Sequence, residues 1–215
     1  MIVVMPAEAG IAGGINEKRI TVSKKKEFRM EKIVNILGFS GSLRKGSYNK
    51  ALLRAALELV PKGTRLETFD LEGIPPFNQD LENQPAEKVR EFKAKIRAAD
   101  AILIATPEAN YTLPGVLTNA MNWASRPYGD NAFDGKPVAV MGATIGMLGT
   151  ARAQYHLRQS FVFLNMIPVN QPEVMVPFVQ EKIDKDGKVT DEKTKEKIGE
   201  LLESLVAWTR RLKGA

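Results

Sequence analysis

Residues 32–49 read KIVNILGFSGSLRKGSYN, an apolar run followed by a polar loop that contains two glycines. The run at 32–39 is nearly unbroken, which is typical of a strand that is covered on both faces. From Leu52 onward, apolar residues recur at helical spacing until Pro61, Lys62 and Gly63 end the pattern. The stretch therefore predicts a strand, a loop and a helix, the first unit of a parallel sheet.

The same alternation continues along the chain. Further strands are predicted at residues 65–69, 101–106, 137–141 and 167–170, and further helices at 85–99, 114–125, 151–164 and 191–212, with a turn at 185–188. This order predicts an α/β fold with a doubly wound, five-stranded parallel sheet and helices on both faces. In such folds ligands bind at the carboxyl ends of the strands, which draws attention to loops 40–49, 107–113 and 142–150.

Composition excludes several classes of chemistry. The 215 residues suffice for one domain. The absence of cysteine excludes disulfides, thiol nucleophiles and iron–sulfur clusters, and a single histidine, His156, excludes a histidine-rich metal site. We interpret His156, which lies mid-helix, as structural or at a subunit contact rather than as a catalytic acid. Any redox chemistry must then come from a bound organic cofactor.

The net charge of +6 is concentrated at the N-terminus, where residues 1–29 hold six basic and three acidic residues. The run Lys24–Lys26 has no interleaved aromatic residues, so we interpret it as solvated and expect no nucleic-acid partner. No apolar stretch approaches the roughly 18–20 residues that cross a bilayer, and we expect a cytoplasmic protein without a membrane partner. Residues 1–29 lack periodicity and are interpreted as a flexible extension, with the domain at 30–215.

Loop 40–49 has the composition of an anion-binding loop. Hydroxyls, an amide, Arg44 and two glycines lie between a strand and a helix N-terminus, where backbone N–H groups and the helix dipole favour a phosphate. The alternative is that Ser47 or Asn49 only caps the helix and Arg44 is an ordinary surface residue.

Two known phosphate-binding patterns do not match this loop. Gly41 and Gly46 have the spacing of a Walker A loop, but Ser47 occupies the lysine position, which disfavours nucleotide hydrolysis. The GxGxxG fingerprint is also missing, although Asp70 at the end of the second strand leaves an atypical dinucleotide site open. A monophosphate such as that of FMN requires neither pattern.

Residues 106–115 form the second informative loop, with Pro107 and Pro114 near its ends. Backbone amides, the Asn110 side chain and the Tyr111 ring suit the polar edge of a planar heterocycle.

Four segments in order resemble the NADPH-dependent FMN reductase family, and the bacterial quinone and chromate reductases in particular. They are residues 41–49, then Thr106, Pro107 and Glu108 with Asn110, Pro114 and Gly115, then Asn119 to Arg126, and then residues 151–159. The likeness covers residues 32–212. It implies a flavodoxin-like fold, non-covalently bound FMN, NADPH or NADH as the electron donor, and a homodimer or homotetramer.

The resemblance also assigns site residues. It implies that the phosphate loop contributes Ser40, Ser42, Leu43, Arg44, Ser47, Tyr48 and Asn49. It implies that the isoalloxazine ring is lined by Pro107, Glu108, Ala109, Asn110 and Tyr111, and that Thr144 and Gly146 belong to a loop that closes the site. Ala109 departs from the family, which usually has an aromatic residue there, and loop 142–150 has fewer hydroxyls than its relatives.

The activity implied is hydride transfer from NADPH to FMN and then to a quinone or another small acceptor, such as chromate, an azo compound, a ferric chelate or free flavin. No side chain is then required as a catalytic acid or base, because the flavin performs the chemistry. The rival interpretations are a flavodoxin-like electron carrier, which the basic charge disfavours, and a domain that has lost its cofactor.

Overall fold

The computed structural model describes residues 32–214, so the predicted extension at 1–29 lies outside the described residues. The strands are β1 (Val34–Ser40), β2 (Thr64–Phe69), β3 (Ala101–Ala105), β4 (Pro137–Ala143), β5 (Ile167–Pro168) and β6 (Val174–Val176). The helices are α1 (Tyr48–Glu58), α2 (Glu87–Ala98), α3 (Gly115–Ala124), α4 (Ala151–Leu164) and α5 (Glu192–Leu212). Two short 3₁₀ turns lie at Gln79–Leu81 and Val179–Glu181.

The sheet is parallel throughout, with the strand order β2-β1-β3-β4-β5. This confirms the predicted doubly wound α/β fold. The predicted fifth strand is split, since β5 and β6 both pair with β4 in succession. Pro172 lies between the two pieces and has no N–H to donate, and pairing resumes at Val174.

Two buried layers enclose the sheet. One contains the apolar stripes of α1 and α5, with Leu52 and Leu202 fully buried. The other contains α2, α3 and α4, with Phe92, Leu117 and Phe161 in contact with the opposite face of the strands. Because β3 is covered on both sides, its five residues are all buried, which explains its continuous apolar sequence.

The first β–loop–α unit begins its helix earlier than the apolar spacing indicated. Ser47 has an extended backbone and accepts a hydrogen bond from the Lys50 N–H at 3.4 Å, so the helix starts at Tyr48. The predicted turn at 185–188 is a small hairpin in which Ile183 pairs with Val189. Within residues 32–214, no helix is long and apolar enough to cross a membrane.

Candidate functional site

The loops that follow β1 and β3 are in direct contact at the carboxyl edge of the sheet. Gly41 shows how close they are, because a Cβ added there would lie 2.9 Å from Pro114 Cγ and 3.3 Å from Pro107 Cδ. The Gly41 N–H also donates to the carbonyl of Ala105 at 3.0 Å. Glycine is therefore required at this position, and the two loops that the sequence singled out form one surface.

Loop 42–46 leaves its backbone donors free. Within the described part of the chain, the N–H groups of these five residues have no hydrogen-bond partner, and Ser47 donates to the Arg44 carbonyl at 3.1 Å. At the start of α1, the N–H groups of Tyr48 and Asn49 also have no partner among the described residues, whereas that of Lys50 donates to Ser47. The exposed Arg44 guanidinium lies 5.0 Å from the Tyr48 ring centre. This set of donors fits a phosphate group.

Two loop residues have structural partners of their own. Ser47 is buried as the cap of α1. Asn49 is also buried, and its side-chain amide donates to the Ala143 carbonyl at 3.0 Å and accepts from the Ala143 N–H at 2.9 Å. Asn49 thereby joins the start of α1 to the end of β4. In this structure it is a positioning residue for the loop at 42–46.

Residues 109–112 form a two-residue hairpin at the tip of the second loop. Ala109 and Thr112 exchange backbone hydrogen bonds of 3.0 and 2.9 Å, and Asn110 and Tyr111 have φ values of 50° and 67°. Positive φ at both central positions is the signature of a type I′ turn. The Thr112 hydroxyl lies 2.9 Å from His156 Nδ1 on α4. His156 thus contacts the hairpin, which agrees with its predicted structural role.

Glu108 holds the second loop against the start of α4. Its carboxylate accepts hydrogen bonds from the Arg152 N–H at 3.1 Å, from Arg152 Nε at 2.7 Å and from the Ala153 N–H at 3.3 Å. The Arg152 guanidinium in turn lies 3.5 Å from the centre of the Tyr111 ring. The carboxylate thus caps a helix N-terminus, where its charge is stabilised.

Arg152 is the site residue that the sequence reasoning missed. The segment 151–159 contributed to the family resemblance, but none of its residues was assigned to the site. The sequence signal for Arg152 is its place in the first turn of a helix that follows a candidate loop. Its partner, Glu108, lies 44 positions away in the chain.

The third loop, 142–150, is built on close backbone contacts. A Cβ at Gly142 would lie 1.9 Å from Thr150 Oγ1, and the Thr150 hydroxyl accepts from Gln154 Nε2 at 3.1 Å. The Thr144 hydroxyl accepts from the Gly146 N–H at 3.3 Å. Between and after these residues, Ile145, Met147 and Leu148 are exposed. The exposed side chains of the loop are therefore apolar, and the ends of the loop are held together by close contacts.

The remaining predicted residues occupy different surroundings. Ser42 is half-buried, Leu43 and Ala109 are exposed, and Pro107 packs at Gly41. Ser40 lies at the end of β1, where its hydroxyl is buried without a hydrogen-bond partner among residues 32–214. No group of three or more metal-ligating side chains occurs in that part of the chain.

Comparison with known proteins supports one family. The profile of the NADPH-dependent FMN reductases matches residues 34–181. An NAD(P)H-dependent FMN reductase of Pseudomonas aeruginosa is 52% identical over 184 residues, which is 84% of this chain and 98% of that protein. A 2-hydroxy-1,4-benzoquinone reductase of a Burkholderia species is 40% identical over 170 residues, covering 79% of this chain and 93% of that protein.

A solved structure extends the likeness to three dimensions. The flavoenzyme FerB of Paracoccus denitrificans, an NAD(P)H:acceptor oxidoreductase, superimposes with a TM-score of 0.76 and 34% identity, covering 83% of this chain and 98% of that one. The profile match spans the β1 loop, the hairpin and the start of α4, so the comparison includes the whole surface described above. This chain belongs to the NADPH-dependent FMN reductase family of oxidoreductases.

Proposed function

We propose that this protein oxidises NAD(P)H through non-covalently bound FMN and passes the electrons to quinones. The observation that carries the proposal is that the loop with free N–H groups at 42–46 and the loop at 106–115, which carries the hairpin, meet at Gly41 beside Pro107 and Pro114. One part suits a phosphate and the other the edge of a flavin ring. The relatives named for FMN and quinone reduction support the same cofactor and acceptor.

Each loop of the site has a separate task in this proposal. The chemistry supplied by bound FMN is the uptake of a hydride from the nicotinamide and the transfer of its electrons to the quinone. The phosphate is held by Ser42, Leu43, Arg44, Ser47 and Tyr48. Asn49 joins this loop to β4, and Ser40 precedes the loop at the end of β1. The flavin ring is lined by Pro107, Glu108, Ala109, Asn110 and Tyr111. The facing loop, 142–150, is shaped by Thr144 and Gly146.

The acceptor site is proposed to lie over the exposed apolar loop. Ile145 and Met147 are 63% and 72% exposed, and Tyr111 is 68% exposed. Such a surface suits a flat, weakly polar ring such as a quinone. Because these side chains are open to solvent, we also propose chromate, azo compounds, ferric chelates and free flavin as acceptors.

The proposal is tested by the visible spectrum and by turnover. The purified protein, or the protein reconstituted with excess FMN, is expected to bind about one FMN per chain and to oxidise NADPH in the presence of benzoquinone. Protein that remains colourless after reconstitution would overturn the proposal. Flavin binding without NADPH oxidation would instead indicate an electron carrier.

We further propose that the protein works as a homodimer or homotetramer. The support is an apolar surface on α4, where Val162 is 85% exposed and Phe163 is 69% exposed. Beside Phe163, a groove between α3 and α4 includes Met121 and Asn122. Phe163→Asp is expected to lower the mass measured by light scattering, and an unchanged mass would exclude this surface.

Location and domain organisation complete the proposal. We place the protein in the cytoplasm because that compartment supplies reduced nicotinamide nucleotides, and cell fractionation tests this. We also keep residues 30–215 as the reductase domain and residues 1–29 as an extension to it.

A further inference from the structure

A cavity lies between α1 and the end of β2. It has a volume of about 170 Å³ and is lined by residues that include Ser40, Lys50, Leu53, Arg54, Phe69 and Asp70. Sites that enclose a whole drug-sized ligand measure roughly 300–1,000 Å³. This α1–β2 cavity therefore suits one end of a larger molecule.

The unused hydrogen-bonding capacity of the α1–β2 cavity consists of donors. Lys50 Nζ donates to Asp70 at 2.7 Å, and Arg54 donates one N–H to the Gly187 carbonyl at 2.9 Å. An ammonium carries three N–H groups and a guanidinium five, so most remain available. The Ser40 hydroxyl, which is nine-tenths buried or more, has no partner among the described residues.

The one carboxylate in the cavity is already occupied. The two oxygens of Asp70 accept from Lys50 Nζ and from the Glu72 N–H at 3.0 Å. Burial acts to raise the pKa of Asp70, but these hydrogen bonds outweigh it and hold the pKa below its usual value. Lys88 adds a cation over the Phe69 ring at 4.1 Å. Because Lys50, Arg54 and Lys88 lie around a single carboxylate, a ligand rich in acceptors and in negative charge is favoured.

The α1–β2 cavity adjoins the loop of the proposed flavin site, since Ser40 lines it. Ser40 directly precedes Gly41, and Lys50 is in the first turn of α1. The ends of β2 and β3 are two strand spacings apart, about 10 Å. An extended dinucleotide can thus reach from this cavity across loop 42–46 to a flavin at the hairpin.

We propose that the α1–β2 cavity binds the 2′-phosphorylated ribose of NADPH, with Lys50, Arg54 and Ser40 donating to the phosphate oxygens. The inference rests on the proposed function, in that NAD(P)H is the electron donor. It makes Lys50 and Arg54 the residues that distinguish NADPH from NADH, because NADH carries a hydroxyl where NADPH carries the phosphate.

The first test is calorimetry on the full-length, FMN-loaded protein with adenosine 2′-monophosphate, adenosine 5′-monophosphate and inorganic phosphate. The 2′-monophosphate is expected to bind best, and Lys50→Met to weaken it about tenfold, as the loss of a hydrogen bond to a charged group predicts. Asp70→Asn is expected to tighten binding by freeing Lys50. Lys62→Met, which removes an exposed lysine beyond the other end of α1, is the matched control and is expected to change nothing.

The second test is the ratio of kcat/KM for NADPH to that for NADH. Lys50→Met is expected to lower this ratio about tenfold with FMN affinity unchanged, and Lys50→Arg to restore much of it. Equal binding of the two nucleoside monophosphates, or an equal loss with both donors, would overturn the inference. A protein without NAD(P)H oxidation would refute the proposed function instead, and calorimetry would still decide whether the cavity selects the 2′-phosphate.

Discussion

The Glu108 carboxylate contacts the Arg152 guanidinium twice at 2.7 Å, through Nε and Nη2. It also accepts a hydrogen bond from the Arg152 backbone N–H at 3.1 Å. Only 9% of the Glu108 side chain is exposed. Because Arg152 also stacks on Tyr111, one carboxylate fixes the position of the hairpin and the start of α4 together.

Glu108→Gln is expected to destabilise the protein by about 1–3 kcal/mol and to weaken FMN binding. The amide replaces one accepting oxygen with a donor that faces other donors, and it removes the charge that pairs with Arg152. Urea denaturation and FMN titration measure the two effects. Glu203→Gln, at an exposed position of α5, is the control, and equal behaviour of the two variants would contradict the positioning role.

Arg44→Ala is expected to weaken FMN binding by about 1.5–3 kcal/mol, the usual contribution of a hydrogen bond to a charged group. Folding should be unaffected, because the exposed Arg44 side chain lies over the Tyr48 ring and makes no hydrogen bond to residues 32–214. Fluorescence titration of the apoprotein with FMN tests this against Arg65→Ala, which removes an exposed arginine from β2. An unchanged dissociation constant for Arg44→Ala would make it an ordinary surface residue.

Ala109→Tyr is expected to tighten FMN binding by about 0.5–1.5 kcal/mol, the contribution of an added aromatic contact. Ala109 is exposed beside the type I′ turn, so the new ring has room within the chain. Ala109→Leu adds a non-aromatic side chain of considerable size and serves as the control. Weaker FMN binding by the tyrosine variant would show that another group already occupies that position.

Asp130→Asn tests an ion pair at a buried lysine. Lys93 is 5% exposed, and its Nζ donates to Asp130 Oδ2 at 2.7 Å and to the Arg126 carbonyl. The hydrogen bond from Lys93 lowers the pKa of Asp130, which burial opposes and Arg97 reinforces. Asp130 therefore contributes stability above its ordinary pKa of 3.8, and this contribution is lost as pH falls through the lower folded-state pKa.

The loss of unfolding free energy in Asp130→Asn is expected to be about 1 kcal/mol at pH 7, because Asp130 itself is half-exposed. The difference from the parent should shrink below about pH 4. Denaturation at several pH values measures it. A difference for Asp130→Asn that stays constant into acid would refute the ion-pair explanation.

A chain that starts at Met30 is expected to keep its fold, FMN binding and NADPH oxidation. The reason is that residues 1–29 lack apolar periodicity and precede the segment that matches the family. Circular dichroism and turnover of the truncated protein, compared with the full chain, check this. Loss of the fold, of FMN binding or of NADPH oxidation would show that residues 1–29 belong to the domain.

The sequence by itself determined the elements and the chemistry of the first loop. Apolar spacing placed five parallel-strand positions and five helices, because periodicity reflects which face of each segment is buried. Residues 40–49 indicated a phosphate loop since hydroxyls, glycines and an arginine between a strand and a helix are a local signature. The split of the last strand was missed because pairing to β4 is not a local property.

Only the tertiary structure decided how the loops support one another. Asn49 reaches Ala143 across 94 positions and Glu108 reaches Arg152 across 44, and neither partner is visible until the strand order brings the loops to one edge. The positive φ values of Asn110 and Tyr111 also depend on this support, since neither residue is glycine. Local sequence encodes the helices and strands and the hydrogen-bond donors of each loop. Long-range packing decides which of those donors remain free to bind a ligand.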